Sequence, residues 1–218
     1  NLIEVLRERQ SPCRVLSIGS SEEYGIIRKE ELPLTETSPL KPANPYAVAR
    51  VAQEMISQIY EKGYGMNIIM TRSFNHIGPG QSDRFVISSF ARQLAEIKKK
   101  DITQPIIQTG NIDIVRDFVD VRDVVKAYYL LLKNGKKGEI YNISSGRGFS
   151  LKDMLNMMTS IIENDCQKEK MLEIIYYLKQ RIKEEYESGN YHRTVVFPDD
   201  NNILQENSKA KIFYAKLY

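Results

Sequence analysis

The sequence predicts an α/β protein built around a parallel sheet with covering helices. Three observations carry that expectation. Arg14–Gly19 and Asn67–Arg72 are near-continuous apolar runs of strand length, which suits strands buried on both faces. Between them, Tyr46 to Lys62 places Val48, Val51, Ala52, Met55, Ile56 and Ile59 at helical spacing, the pattern of an amphipathic helix. Strand, loop, helix, strand is a crossover rhythm, and such crossovers build parallel sheets.

The other elements follow in order. Leu2, Ile3, Val5 and Leu6 predict a helix over 1–9, which Gln10-Ser11-Pro12 stops. The run at 14–19 is expected to be a central strand; it ends in Gly-Ser-Ser, before a polar loop with prolines at 33, 39, 42 and 45. Gly63 and Gly65 end the long helix. Asn75 to Gln81 is rich in turn residues, and 85–99 is helical again through Phe85, Val86, Phe90, Leu94 and Ile97. Ile106–Thr109 and Ile112–Val119 read as strands. Asp120 stands where it can cap a helix from Val121 to Lys133, with Asp123 in the first turn. Glu139–Ser144 is a further strand. Ser150 with Asp153 is a variant capping box that opens a helix to about Ile162. Residues 165–218 carry nine basic and nine acidic residues, with a helix predicted at 168–187 before periodicity fades.

Composition narrows the function classes. The chain has 218 residues, 42% hydrophobic and 27% charged, enough for a core without metal or disulfide staples. Its net charge of +3 is spread along the chain, too weak a field to argue for nucleic acid or an anionic membrane. No run approaches 18 apolar residues, so no membrane span is expected. The two cysteines, Cys13 and Cys166, match no metal-ligand spacing, and no metal site is expected. Two distant thiols fit a reducing compartment, so a cytoplasmic location is expected. The chain begins without Met and reads as a piece of something longer.

Two segments carry chemistry. Gly19-Ser20-Ser21-Glu22-Glu23-Tyr24-Gly25 lies at the carboxyl end of an expected parallel strand, where ligands bind in open α/β sheets. A hydroxyl there can hydrogen-bond a substrate oxygen, and Glu22 can move a proton; a solvated strand-to-loop turn is the plainer alternative. Tyr46 and Arg50 are four apart, so they share a helix face. A nearby guanidinium favours an ionised phenol, although such a pair is more often simple stacking.

Together the segments resemble the extended short-chain dehydrogenase/reductase family. A strand ending in Ser-Ser, a Pro-rich loop and Asn44-Pro45-Tyr46 opening a helix carry the first part of the likeness. The second part is Arg72-Ser-Phe-Asn75-His76-Ile-Gly-Pro-Gly-Gln81, then Phe85-Val86-Ile, Arg116-Asp-Phe-Val-Asp120 and Gly138-Glu-Ile-Tyr-Asn-Ile-Ser-Ser-Gly146. These segments are similar to the nucleotide-sugar branch, most to its GDP-4-keto-6-deoxy-D-mannose reductases and next to its GDP-mannose 4,6-dehydratases. The likeness covers about residues 1–163.

The resemblance implies a partial Rossmann-type parallel sheet, its N-terminal half missing, with a small mixed α/β substrate-binding domain. Residues 1–74 are expected to be the back half of the dinucleotide-binding domain, 75–163 a substrate-binding region interleaved with it, and 164–218 a divergent segment. It implies NAD(P)H-dependent reduction of a GDP-4-keto-6-deoxy-hexose, the 4,6-dehydratase reaction being the alternative and a non-catalytic remnant the second. Ser20 or Ser21 would hydrogen-bond the sugar's C4 oxygen, Tyr46 would donate the proton, and Arg50 would assist it. Tyr46, Arg50, Ser73 and His76 would touch NADP or NAD. Asn75, Phe85 and Val86 would bind the substrate, and Arg116 its diphosphate, whose oxygens suit a forked guanidinium. Glu22 matches the dehydratase acid/base glutamate but occurs in reductase-like wording too. A homodimer through the helix starting at Tyr46 is the expected assembly.

Three departures temper the likeness, one being that after about Ile162 the sequence stops looking like the family. Position 50 is normally Lys, and Arg keeps the charge without releasing a proton. The family's glycine-rich pyrophosphate turn does not occur in this sequence, so a half-sheet with an unpaired edge is expected.

Overall fold

The computed structural model describes residues 2–100 and 106–163. In chain order the elements are α1 (Leu2–Glu8), β1 (Val15–Ser20), α2 (Pro45–Tyr64), β2 (Ile68–Ser73), β3 (Asn75–Ile77), α3 (Val86–Lys100), β4 (Val115–Asp120), α4 (Val121–Asn134), β5 (Ile140–Ile143), β6 (Gly148–Ser150) and α5 (Leu151–Glu163). They fall into two compact units: residues 2–76 with 121–145, and residues 77–120 with 146–163. Cys166, the helix predicted at 168–187 and the rest of 164–218 lie outside the described residues.

The first unit is a parallel sheet in the order β1-β2-β5 with helices against it. This is the expected α/β class. The central strand is β2, not β1: all six β2 residues are buried. Among the described residues β1 pairs on one side only, and its Ile18 is 41% exposed. A strand paired on both edges is shielded from all sides, whereas a strand with one neighbour leaves part of its apolar run in water.

Asn44 starts α2. It is extended (φ −150°, ψ 163°), as a residue before proline should be, and its side chain accepts the Ala47 N–H. Gly65 closes the helix in the left-handed conformation at φ +67°. Gly63, expected to end the helix, lies inside it.

The two faces of α2 differ from a simple amphipathic pattern. Ala47, Val51, Glu54 and Ser57 are the buried positions, while Val48, Ala52, Met55, Ile56 and Ile59 stand in solvent. Most of the apolar stripe therefore points outward. The reason lies in the sheet surface that α2 covers. There Ser17 Oγ accepts from Ser57 Oγ at 2.8 Å, and Arg72 reaches Glu54, so the helix turns its polar and small residues inward.

Arg72 is the hub of that interior. Its Nε and Nη2 donate to the two Glu54 oxygens at 2.8 and 2.7 Å, a bidentate pair almost wholly out of water. Its Nη1 donates to the Tyr24 hydroxyl and to the Glu36 carbonyl, each at 3.0 Å. Tyr24 passes the chain on to Asn142 Oδ1 at 2.6 Å. One side chain thus ties β2 to α2, to the turn after β1 and to β5.

In the second unit β4 pairs antiparallel with β6. Here α3 packs on α5, and Phe90, Leu94, Leu151 and Met154 are buried. The strand predicted over Ile112–Val119 begins only at Val115. The carbonyls of Ile112 and Ile114 instead accept N–H bonds from Lys152 and Leu151 at the start of α5. Nor are 106–109 a strand: Gln93 both donates to the Gln108 carbonyl and accepts its N–H, taking a neighbouring strand's place. Conversely, Asn75–Ile77, read as loop, is a short strand. Ser150 caps α5 by accepting the Asp153 N–H, but its hydroxyl donates to the Asp153 carboxylate. Asp is one methylene shorter than the Glu that normally reaches back to the cap. Among the described residues no helix is long and apolar enough to cross a membrane.

Arg72→Ala should remove about 3–5 kcal/mol of unfolding free energy, because it strands the buried Glu54 carboxylate. Urea unfolding followed by circular dichroism measures this, and a loss below about 1 kcal/mol would contradict the hub role.

Candidate active site

The end of β1 is built so that Ser20 has one way to sit. A Cβ at Gly19 would overlap Oε1 of Glu23 and the Thr71 carbonyl oxygen, so this step of the strand requires glycine. The Ser20 N–H donates to Glu23 Oε1 at 2.7 Å, and Ser20 Oγ accepts the Glu22 N–H at 3.2 Å. These bonds form the capping box of the single 3-10 turn Ser21–Tyr24. They leave the Ser20 hydroxyl hydrogen without an acceptor among the described residues. Ser21, half-buried, is the first residue of the turn.

Glu22 is exposed, and its Oε2 accepts from Asn44 Nδ2 at 2.9 Å. Glu23 is fully buried. Its Oε2 has no hydrogen-bond partner and lies 3.9 Å from Arg72 Nε. Burial pushes its carboxyl up to about 7; the Glu54 charge adds to the rise, while the Ser20 N–H and the Arg72 charge oppose it. Burial likewise pushes the Tyr24 hydroxyl up to about 12. Burial acts to lower Arg72, but its bonds to Glu54 and Tyr24 outweigh that and raise it.

Tyr46 and Arg50 share one face of α2, with the Arg50 Cζ 5.0 Å from the Tyr46 ring centroid. Tyr46 is 52% exposed, so its phenol is not a core group. Arg50 Nη1 donates to the Ile18 carbonyl at 3.2 Å and to Gln53 Oε1 at 2.8 Å. Gln53 Nε2 donates to the same carbonyl at 2.9 Å. Arg50 Nε and Nη2 have no partner among the described residues. Position 50 thus reaches the edge of β1 that pairs with no strand among the described residues, while still covering the phenol.

The other sequence-predicted residues occupy distinct places. Ser73, at the end of β2, is buried and shares a 2.5 Å hydrogen bond with the Tyr128 hydroxyl. Tyr128 was not singled out by the sequence. The available signal was a Tyr inside the apolar run of α4, since a buried phenol needs a partner; burial raises this hydroxyl. Asn75 and His76 are exposed on β3, and His76 Nδ1 lies 3.3 Å from the Phe74 carbonyl. In the second unit, Phe85 is exposed just before α3 and Val86 is its half-buried first residue. Arg116 is exposed on β4. Among the described residues its guanidinium bonds only the Val115 carbonyl, at 2.9 Å, and forms no ion pair.

The comparisons with known proteins bear out the resemblance. The family model described as GDP-mannose 4,6 dehydratase matches residues 1–212. The chain belongs to this GDP-mannose 4,6-dehydratase family. It is 37% identical to a GDP-6-deoxy-D-mannose reductase of Pseudomonas aeruginosa over 167 residues, covering 77% of this chain and 55% of that protein. It is 29% identical to a GDP-mannose 4,6-dehydratase of Yersinia enterocolitica, covering 72% of this chain and 41% of that one. Among solved structures, RMD from Pseudomonas aeruginosa complexed with NADPH superposes with a TM-score of 0.71 at 37% identity. That match covers 74% of this chain and 55% of the other. The chain thus spans about half the length of the curated relatives it matches, and the family's Rossmann-type α/β fold is present here in part.

The buried carboxyl of Glu23 predicts a pH signature. Its folded value lies above its unfolded one, so the native state holds a proton that the unfolded chain releases. Its contribution to stability is present below about 4.5 and is lost as pH rises to about 7. The loss is about 3 kcal/mol at most. Glu23→Gln should flatten that component, measured by urea unfolding at several pH values; an unchanged slope would refute the assignment.

Proposed function

We propose that this chain carries the proton-transferring half of a nucleotide-sugar oxidoreductase that reduces a GDP-4-keto-6-deoxy-hexose with NADPH or NADH. The observation that carries this reading is the Tyr46–Arg50 pair, open to solvent at the start of α2 and joined through Asn44 to the turn after Ser20. Family membership and the 37% identity to a GDP-6-deoxy-D-mannose reductase support it.

The donor set fits a nicotinamide dinucleotide beside a ketone. Arg50 keeps two nitrogens for ribose hydroxyls, and Ser20 keeps one O–H. When bound, the nicotinamide supplies hydride to C4 of the sugar. Tyr46 gives its phenolic proton to the C4 oxygen, while the Ser20 hydroxyl, with Ser21 beside it, hydrogen-bonds the same oxygen. The Arg50 guanidinium offsets the negative charge left on the phenol. Arg50 cannot relay a proton as a lysine could, so the exposed phenol is reprotonated from solvent. In the first unit Ser73 and His76 would touch the nicotinamide and Asn75 the substrate. In the second unit Phe85 and Val86 would bind substrate, and Arg116 would fork onto a diphosphate. Residues 1–74 act as the dinucleotide-binding half and 75–163 as the substrate-binding region; the family match continues to residue 212, past the 1–163 over which the likeness was expected. A cytoplasmic site of action is in keeping with the free thiol at Cys13.

A second reading is the 4,6-dehydratase, favoured by the exposed Glu22 carboxylate, which Asn44 bonds two residues before Tyr46, and by the 29% identity to such an enzyme. A third is a non-catalytic remnant, favoured by Arg50. Calorimetric titration with GDP and with NADPH, and assays that follow consumption of GDP-mannose against its 4-keto product, separate the three. In the reductase reading only the 4-keto sugar is consumed, with NADPH oxidised. Tyr46→Phe then lowers turnover at least 100-fold, and Arg50→Lys raises it; binding of GDP alone leaves only the remnant.

We infer further that two copies pair through α2. Its exposed Val48, Ala52, Met55 and Ile59 recur at i, i+4, i+7 and i+11, a continuous apolar stripe suited to an antiparallel helix partner. Light scattering should give a dimer mass, with Met55→Glu and Ile59→Glu giving monomers. A monomeric parent chain would refute the pairing.

A further inference from the structure

We propose that Asn44 is a positioning residue that locks the Glu22 carboxylate to the helix start bearing Tyr46. The inference rests on the reading of this site given above and deepens it.

Asn44 does two jobs with one side chain. Its Oδ1 accepts the Ala47 N–H at 2.8 Å and so caps α2. Its Nδ2 donates to Glu22 Oε2 at 2.9 Å. Pro45 holds the Asn44 backbone in its extended conformation, and the two hydrogen bonds orient the amide. Ser, Thr, Asp and Asn all serve as caps. Of these, only Asn pairs an acceptor with an N–H donor across a planar group long enough to bridge two segments. Asp presents two acceptors, and a hydroxyl that caps the helix stays close to its own backbone. The residue type therefore matches the bridge, not merely the cap.

The bridge has a consequence for the site. Glu22 sits on an exposed turn and no other described side chain fixes its carboxylate. With Oε2 held by Asn44, Oε1 is left as the oxygen free to meet a ligand, at a set distance from the residue two places after Asn44. The turn is held from beneath as well, by Glu23 on the Ser20 N–H. Ser20, Glu22 and Tyr46 are then one rigid group rather than residues on two independent segments.

The test uses the full chain and Asn44→Asp, which keeps the cap but faces Glu22 with a second carboxylate. If Asn44 only caps, this variant behaves as the parent in every assay. If it positions Glu22, amide hydrogen exchange across Ser21–Tyr24 speeds up about five- to tenfold while exchange in α2 is unchanged. The double variant Asn44→Asp with Glu22→Gln re-forms the bond with donor and acceptor exchanged, and should restore slow exchange. In a chain that turns over the 4-keto sugar, Asn44→Asp also lowers kcat with little change in KM. Parent-like exchange in Asn44→Asp, or no rescue in the double variant, overturns the proposal. Absence of turnover in the parent chain counts against the oxidoreductase reading alone, because the exchange pattern still decides the role of Asn44.

Discussion

The first unit depends on a guanidinium that has nowhere else to go. Arg72 lies on the central strand, almost wholly out of water, where an unpaired cation would be prohibitively costly. Glu54 meets it with both oxygens, and that requirement decides how α2 is turned. A helix that must present Glu54 and Ser57 to the sheet has to present Val48, Met55 and Ile59 to something else. The orientation of α2 in turn places Tyr46 and Arg50 at the rim. The polar interior and the apolar exterior of this helix are therefore two sides of one constraint.

This explains which parts of the architecture were legible in the sequence. Helical spacing identified α1, α2 and α3, capping residues announced α4 and α5, and near-continuous apolar runs identified β1 and β2, because these signals are local. Which face of α2 is buried was not legible, since it depends on Arg72, a residue distant in sequence whose burial no local pattern announces. The strand at Val115 was placed early because Ile112 and Ile114 look like strand residues. Their carbonyls are engaged by backbone from Leu151 and Lys152, a non-local pairing.

The candidate site was legible to a similar depth. Ser20, Glu22, Tyr46 and Arg50 were found from their residue types and their place after a strand and at a helix start. What the spacing could not supply was the set of connections among them. The Asn44 amide on Glu22 and the Tyr128 hydroxyl on Ser73 are contacts between segments separated in sequence, whereas the Glu23 carboxyl under Ser20 is a local capping box within one turn. Residues that touch ligands carry chemistry visible in their type, whereas residues that hold them in place look like ordinary caps, turns and helix positions.

Arg50 shows how the two kinds of role can meet in one residue. A lysine ammonium here would be a point charge on a flexible stem, able to serve the phenol and a ribose but poorly suited to bracing a strand edge. The guanidinium spans more. It covers the Tyr46 ring, donates to the Ile18 carbonyl and to Gln53, and keeps Nε and Nη2 in reserve. The Ile18 carbonyl, bonded by both Arg50 and Gln53, is a strand-edge acceptor satisfied by side chains. The substitution therefore exchanges a proton-releasing group for one that ties the candidate catalytic tyrosine to the strand beneath it. A backbone so braced favours fixed geometry over proton relay, and it places the burden of reprotonating Tyr46 on its exposure to water.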